Sequence, residues 1–147
     1  MTSPPATVHA SAVRVGERGI LIRGASGTGK SRLVLDLILA GRAGAIPPTQ
    51  LISDDRVRLE VRDSQLIAHA VPELAGLIEI RGLGLRHCDY AAQAKIGLVV
   101  DLAAPDAERL PPPERLKTLI SEVELARIPV AAGYSALPLV LGFLITS

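Results

Sequence analysis

The alternation of apolar and polar residues predicts a chain built mostly of short strands. Val57, Leu59 and Val61 alternate with charged residues, which is the period of a strand with one buried face. Residues 96–102 are almost continuously apolar, as expected of a central strand buried on both faces. Shorter runs predict further strands at 12–15, 19–23, 65–70, 78–80 and 126–130, and one that begins at Leu51.

One segment has helical rather than strand periodicity. In residues 31–40, Leu33, Val34, Leu37 and Ile38 fall on one face, while Leu35 and Leu39 fall off it. A helix that is apolar on more than one side is expected to be buried on more than one side.

Glycine, proline and serine residues indicate where the two helices are expected to begin and end. Gly41 is the expected stop of the first helix, and residues 43–50, with Pro47 and Pro48, are expected to form a loop. Ser135 is the expected cap of a final helix. Strands mixed with few helices predict the α/β class with a mixed sheet, in one domain that covers residues 1–147.

Composition narrows the classes of function. A formal net charge of +1 and an aromatic content of 2% give neither a basic patch nor a stacking platform, so we expect no nucleic-acid partner. The most apolar stretch, 136–145, is too short to span a bilayer and contains Pro138 and Gly142, so we read it as core-facing, with a partner interface as the second choice. With no signal-peptide pattern and a single cysteine, Cys88, we expect a cytoplasmic protein without a membrane partner.

The strongest chemical signal is a complete G-x-x-x-x-G-K-S motif between an apolar strand and the first helix. Its glycines allow successive backbone N–H groups to face phosphate oxygens, and the helix N-terminus adds a favourable dipole. Lys30 can reach the β- and γ-phosphates, and the Ser31 hydroxyl can bind Mg²⁺. The predicted nucleotide-binding residues are Gly24, Ala25, Ser26, Gly27, Thr28, Gly29, Lys30 and Ser31.

The phosphate loop alone leaves the reaction open among kinases, motor ATPases and GTPases. The chain contains no asparagine, so it carries neither the guanine-reading Asn-Lys-x-Asp motif nor the asparagine of the eukaryotic-type kinase catalytic loop. A carboxylate near Mg²⁺ is also required. Two strand ends offer one, Asp54-Asp55 and Asp101, and the residues alone do not decide between them. Adjacent residues of a strand face opposite sides, so one of the pair can face the metal while the other faces elsewhere. A carboxylate next to a second one is also suited to accept a proton.

Four features together resemble the family of HPr kinase/phosphorylase. They are the phosphate loop, His9 at the family's separation upstream of Lys30, the Asp54-Asp55 pair after the first helix, and residues 79–85. This last segment, Glu-Ile-Arg-Gly-Leu-Gly-Leu, is close to the family's signature E-[IV]-R-G-L-G-[IL]. The resemblance covers almost the whole chain, and it implies a sheet topology similar to that of phosphoenolpyruvate carboxykinase. The family's separate N-terminal regulatory domain is expected to be absent, as in its short forms.

The resemblance implies an ATP- and Mg²⁺-dependent protein serine kinase that regulates the phosphotransferase system by acting on an HPr-like phosphocarrier. It also implies a homo-oligomer, a hexamer in the family. Asp55 would accept the proton of the substrate serine, and His9 would support that aspartate or the phosphate. Lys30 would bind the phosphate, and Arg109 would be a further catalytic arginine. Ser31, Glu79 and Asp54 would bind Mg²⁺. We also expect Glu79, between Ile78 and Ile80, to be buried, with a metal as its partner.

Several positions depart from the family's pattern. Arg32 replaces an acidic residue, the loop at 43–50 is long, and the family's late Pro-Val-Arg-Pro-Gly-Arg segment has lost both arginines at positions 129–134. Because that segment is linked to dephosphorylation of the carrier, the resemblance favours the kinase direction over the phosphorylase direction. The C-terminal helix is short after Leu141. An alternative function is therefore a nucleotide-sensing regulator that binds ATP without phosphorylating a carrier.

Overall fold

The computed structural model describes residues 6–147, in which nine strands form one mixed sheet and two more form a separate hairpin. The strands of the sheet are β1 (Ala6–Val8), β2 (Ala10–Val15), β3 (Arg18–Arg23), β4 (Thr49–Ser53), β5 (Val57–Arg62), β6 (Gln65–His69), β9 (Gln93–Asp101), β10 (Lys117–Ile120) and β11 (Val123–Pro129). The hairpin consists of β7 (Leu77–Ile80) and β8 (Gly84–His87). The helices are α1 (Lys30–Arg42) and α2 (Leu137–Ile145).

The sheet brings the ends of four strands to one edge. Its order is β1-β5-β6-β9-β3-β2-β4, and β11 joins β9 and carries β10 on its other side. β3 and β11 both run parallel to β9, and β2 runs antiparallel to its two neighbours, β3 and β4. The carboxyl ends of β3, β4, β9 and β11 therefore share an edge with the start of β2. In α/β sheets, this edge is where ligands bind.

Two apolar cores lie on opposite sides of the sheet. The first joins the buried face of α1, including Leu33 and Leu37, to residues such as Ile22, Leu51 and Val100 of the central strands. The second core lies against β5 and β6, and its members include Leu21, Ile52, Val57, Leu66 and Val99. The central strands are buried on both faces, as the apolar run at 96–102 predicted. These observations confirm the α/β class with a mixed sheet.

The first helix is confirmed, with different limits and with one exposed side. Its predicted apolar face is buried as expected, but Leu39 is 52% exposed, so the expectation of burial on a second side is wrong for that residue. The helix passes through Gly41 and ends at Arg42. Gly41 lies where the helix meets β4, and a Cβ there would stand 2.8 Å from the backbone nitrogen of Thr49. This glycine therefore serves close packing rather than helix termination.

The C-terminal helix also differs in detail from its prediction. α2 starts at Leu137 after Ala136, and Ser135 donates no capping hydrogen bond, so the predicted serine cap is wrong. Val140 is fully buried in the first core, whereas Leu139 and Ile145 are exposed. No helix within residues 6–147 is long and apolar enough to cross a membrane.

Candidate functional site

The phosphate loop leaves the carboxyl end of β3 and turns directly into α1. Gly24, with φ of 159°, starts the loop, and a Cβ at this position would stand 2.5 Å from Thr28 Oγ1. Gly29 precedes the helix with φ of 104°, a left-handed conformation that favours glycine, and nothing lies within 4 Å of the place where its Cβ would stand. The loop is therefore closed on itself at its start and open at the helix N-terminus, where α1 can receive an anion.

Lys30 is held inside the phosphate loop. Its Nζ donates to the carbonyl oxygens of Gly24 at 2.8 Å and Ala25 at 3.3 Å, and the residue is 6% exposed. Thr28 Oγ1 donates to the same Ala25 carbonyl at 2.6 Å. The ammonium group thus stands in the curve of the loop, where it adds a full positive charge to the partial charge of the helix N-terminus.

Asp54 connects the phosphate loop to the start of β2 through hydrogen bonds. The Ser31 hydroxyl donates to its carboxylate, with 2.8 Å to Oδ2 and 3.0 Å to Oδ1. The Ser11 hydroxyl donates to Oδ1 at 2.7 Å, and the backbone N–H of Glu79 donates to Oδ2 at 3.1 Å. Asp54 is 6% exposed. A buried carboxylate beside the hydroxyl of the phosphate-loop serine is a donor set suited to Mg²⁺.

Asp55 faces a different environment from its neighbour. Its Oδ1 lies 2.6 Å from His9 Nε2, and its side chain is 68% exposed. The divergence does not come from strand alternation, since β4 ends at Ser53 and Asp55 has φ of 68°. The backbone N–H of Asp55 donates to Ser11 Oγ at 3.0 Å, which holds this left-handed turn. One carboxylate is thus buried against the phosphate loop, and the next is open to solvent beside a histidine.

The backbone of Glu79 lies next to Asp54, but the predicted burial of the Glu79 side chain is wrong. The residue is exposed on the hairpin strand β7, while Ile78 is buried against α1. A two-stranded hairpin has one covered face, so alternate residues of β7 face solvent. Its backbone contacts Asp54, and a role of its carboxylate as a metal ligand remains a prediction.

Asp101, the rival strand-end carboxylate, is engaged by two arginines. Arg23 donates from Nε to Oδ1 at 2.7 Å and from a terminal nitrogen to Oδ2 at 2.8 Å, and Arg127 Nε donates to Oδ2 at 2.5 Å. Burial raises the pKa of Asp101, but the hydrogen bonds and charges of the two arginines outweigh it and hold the pKa below its ordinary value. With its oxygens occupied by arginines, Asp101 is less available to a metal than Asp54.

Arg109 lies on the loop that follows β9. It is exposed and makes no hydrogen bond or ion pair with any residue from 6 to 147. The loop begins beside the phosphate loop, because the N–H of Leu102 donates to the carbonyl of Arg23 at 2.9 Å. An arginine with unengaged donors on such a loop can bind phosphate oxygens.

These residues fit a nucleotide with its Mg²⁺. Within residues 6–147 no three His, Cys, Asp or Glu side chains converge to hold a metal by themselves. A Mg²⁺ ion at this edge would therefore take oxygens from Ser31 and Asp54 and complete its sphere with phosphate and water, as this ion commonly does. The fold is of the α/β class, and the site places a glycine-rich loop, a lysine and a serine at the N-terminus of a helix, an arrangement suited to phosphate groups.

The comparisons with known proteins identify the family. The model of the HPr serine kinase C-terminal domain matches residues 2–141, so the chain belongs to this family. It is 35% identical to the HPr kinase/phosphorylase of Mycoplasma mycoides over 147 residues, covering 90% of this chain and 45% of that protein. The corresponding protein of Geobacillus kaustophilus is also 35% identical, over 144 residues, with 89% and 44% covered.

A solved structure agrees with the sequence comparison. The Hpr(Ser) kinase/phosphatase from Coxiella burnetii is similar with a TM-score of 0.74 and 28% sequence identity, covering 95% of this chain and 93% of that one. The chain spans less than half the length of the curated relatives that it matches. The family and the fold of the resemblance are thus confirmed.

Sequence reasoning missed Ser11, Arg23 and Arg127. Ser11 is fully buried in β2 and bonds to both aspartates, and the arginines bind Asp101. A serine within an apolar strand carries no local signal of this role. The one available clue was a polar residue at a position whose neighbours, Ala10 and Ala12, belong to a core.

Proposed function

We propose that this chain is a protein serine kinase that transfers the γ-phosphate of ATP to a serine of an HPr-like phosphocarrier. The observation that carries the proposal is that two adjacent aspartates have different surroundings. Asp54 is buried and bonded to Ser31 of the phosphate loop, whereas Asp55 is exposed and bonded to His9. A metal-side carboxylate next to a solvent-side carboxylate is what transfer to an incoming hydroxyl requires.

The phosphate donor would be held by backbone and charge. A triphosphate that follows the loop would meet the open N-terminus of α1 and the ammonium of Lys30. The Ser31 hydroxyl and Asp54 would lie beside it. Mg²⁺, when bound, neutralises phosphate charge and orients the phosphates. Glu79, whose backbone contacts Asp54, would add a ligand to Mg²⁺ from the solvent side.

Asp55 would act as the proton acceptor. The serine Oγ forms a bond to the γ-phosphorus while the bond from that phosphorus to the bridging oxygen of ADP breaks, and the serine proton passes to the Asp55 carboxylate. An exposed carboxylate is accessible to a side chain of another protein, and His9 Nε2 at 2.6 Å fixes its orientation. Arg109 would bind the phosphoryl oxygens as charge shifts towards ADP.

The forward direction is the one that the residues favour. Positions 131–134 contain no arginine, and Tyr134 is 76% exposed there. We therefore propose that the reverse phosphorylase reaction is weaker than the kinase reaction. Residues 1–147 would act as one catalytic domain, and the family resemblance supports a cytoplasmic homo-oligomer, a hexamer, as the working assembly.

The test is transfer of labelled γ-phosphate from ATP–Mg²⁺ to the HPr-like carrier of the same organism. Asp55→Asn keeps the size of the side chain and removes the base. We expect the rate of transfer to fall by about 10²- to 10⁴-fold, while the affinity for ATP changes little. Asp89→Asn, at an exposed aspartate with no hydrogen-bond partner among residues 6–147, is the matched control and should transfer at the wild-type rate.

Two results would contradict the proposal. A carrier that gains no label from the wild-type protein under any nucleotide or metal condition excludes the kinase function. If ATP still binds in that case, the chain is a nucleotide-binding regulator instead. A wild-type rate for Asp55→Asn would remove Asp55 from the role of base.

A further inference from the structure

A chain of charged groups connects the phosphate loop to a residue far along the sequence. Arg23 is the last residue of β3 and the residue before the phosphate loop, and it pairs in register with Asp101 at the end of β9. Asp101 accepts hydrogen bonds from both Arg23 and Arg127, a residue of β11. The ends of three neighbouring strands are thus tied to one carboxylate, and Gly24 follows Arg23 directly in the chain.

Arg127 also binds the loop that follows β9. Its two terminal nitrogens donate to the two carboxylate oxygens of Asp106, at 2.8 and 3.0 Å, in a two-pronged pair. One of them donates as well to the carbonyl of Arg115 at 2.9 Å. The Arg127 guanidinium therefore donates four hydrogen bonds, and its side chain is only 13% exposed. The acceptors belong to Asp101 at the end of β9, to Asp106 in the following loop and to Arg115 in the turn before β10.

The loop is fixed near Arg109 but leaves Arg109 itself unengaged. Arg115 donates to the Glu108 carboxylate and, at 3.4 Å, to the Asp106 carbonyl. Asp106 and Glu108 are thus bound on the N-terminal side of Arg109, while Arg109 is exposed and bonds to nothing within residues 6–147. The first residue of the loop, Leu102, packs against the start of the phosphate loop, where a Cβ on Gly24 would stand 3.2 Å from Leu102 Cβ.

We propose that Arg127 is a positioning residue that sets the loop at 102–110, and with it Arg109, relative to the phosphate loop. The inference rests on the proposed function, because it gives Arg109 its task at the transferred phosphate. Only a planar guanidinium can bond to Asp101 with one nitrogen and to both oxygens of Asp106 with the others. A lysine at position 127 would keep the charge and lose this simultaneous grip.

The experiment compares Arg127→Met and Arg127→Lys with Arg62→Met, which removes an exposed arginine paired with Glu60 on β5. Hydrogen exchange is followed over residues 102–110 and over the phosphate loop, and transfer to the carrier is measured with the turnover rate separated from the ATP affinity. For both Arg127 variants we expect faster exchange at 102–110 with phosphate-loop exchange unchanged. We expect the turnover rate to fall by about 10²-fold, the effect of displacing a group by about 1 Å, while the ATP affinity stays within about twofold. Arg62→Met should change none of these.

A second variant guards against misfolding. Asp106→Asn removes the loop anchor and leaves the Arg23–Asp101–Arg127 contacts in place, so it should reproduce the faster exchange and the lower turnover. In an Arg109→Ala background, Arg127→Lys should add little further loss of turnover, because both changes would act through the same side chain.

The outcomes separate this proposal from the proposed function. If the wild-type protein transfers no phosphate, the kinase assignment fails, and the exchange data alone still decide whether Arg127 orders the loop. If Arg127→Lys leaves exchange at 102–110 unchanged, Arg127 does not position the loop. If exchange rises equally throughout the sheet, or the losses of Arg127→Lys and Arg109→Ala multiply, Arg127 serves general stability only and the proposal is wrong.

Discussion

The Ser11 hydroxyl donates a 2.7 Å hydrogen bond to Asp54 Oδ1 from a fully buried position in β2. The Ser11 Oγ atom in turn accepts the backbone N–H of Asp55 at 3.0 Å. One hydroxyl therefore orients the buried carboxylate through its proton and holds the left-handed backbone of the next residue through its lone pair. One serine therefore holds two aspartates, adjacent in sequence, in different orientations.

Ser11→Ala should weaken both stability and transfer. The Asp54 carboxylate loses one donor and the Asp55 N–H loses its acceptor in a buried place, so we expect the free energy of unfolding to fall by about 1–3 kcal/mol. Transfer to the carrier should fall together with it, because Asp55 is no longer held in its turn. Denaturant unfolding and the labelled transfer assay measure the two effects.

Ser53→Ala is the matched control for this substitution. Ser53 is also fully buried, at the end of β4, but its hydroxyl has no hydrogen-bond partner within residues 6–147. Removing an unpaired buried hydroxyl should not lower stability. Equal losses for Ser11→Ala and Ser53→Ala would show that burial of a serine, rather than its contacts with the aspartates, sets the cost.

His9 should matter for turnover more than for nucleotide binding. Its Nε2 contacts Asp55 Oδ1 at 2.6 Å, and both side chains are substantially exposed. His9→Ala should lower the turnover rate by about tenfold or more, since orientation of a general base contributes within the 10²- to 10⁴-fold range of acid–base catalysis. ATP affinity, measured by calorimetry, should stay close to that of the wild type.

His9→Gln separates orientation from proton exchange. The glutamine amide can place an N–H near the position of the imidazole Nε2 but does not titrate near neutral pH. If His9 only orients Asp55, His9→Gln should recover much of the lost turnover and leave the pH profile of transfer unchanged. A glutamine variant as slow as the alanine variant would assign His9 a proton-carrying role instead.

Ser31→Ala should weaken binding of the nucleotide only when Mg²⁺ is present. Ser31 is the second residue of α1, and its hydroxyl donates to Asp54. The hydroxyl therefore lies where a metal beside the phosphate loop would bind. We expect ATP affinity in the presence of Mg²⁺ to fall by about tenfold or more, the usual range for a lost metal partner. Affinity in the presence of a chelator should hardly change. An equal loss with and without the metal would place Ser31 at the phosphate rather than at Mg²⁺.

The sequence allowed prediction of the parts of the site that are local. The phosphate loop is a continuous segment whose glycines, lysine and serine act within one turn, so its pattern is visible in the chain. Asp54 of the Asp54-Asp55 pair lies beside Ser31, and the two aspartates diverge for a different reason from the one expected. Strand alternation was the expected cause, and a backbone turn at Asp55 held by Ser11 is the actual one.

Contacts between distant segments account for what was not predicted. Arg23 and Asp101 lie 78 positions apart and meet only because β3 and β9 pair in parallel, so the chain carried no signal of their pairing, although Asp101 itself was recognised as a strand-end carboxylate. The burial of Glu79 was predicted wrongly because it was inferred from its apolar neighbours, whereas β7 belongs to a hairpin with one open face. The edge strands β1 and β10 have only three and four residues, which is too short to show a recognisable alternation of apolar and polar residues.

Asp101 should make stability depend on acid pH. Arg23 and Arg127 hold the pKa of its carboxyl below the ordinary value, so the folded state binds the proton less tightly than the unfolded state does. The stabilisation is therefore complete above about pH 4, the ordinary pKa region of aspartate, and is lost as the pH falls through the lower folded value. Asp106, whose pKa is lowered by its hydrogen bonds to Arg127, contributes with the same sign.

Asp101→Asn tests this dependence directly. At pH 7 we expect a loss of about 1–3 kcal/mol in the free energy of unfolding, because a charged hydrogen-bond acceptor is removed from two arginines that remain. As the pH is lowered from 6 to 3, the wild type should lose more stability than Asp101→Asn, so the two curves converge below about pH 4. Chemical unfolding of both proteins over this range measures the difference. If the gap between them keeps its full size down to pH 3, the charge of Asp101 is not what binds the strand ends, and its shape alone would account for the loss.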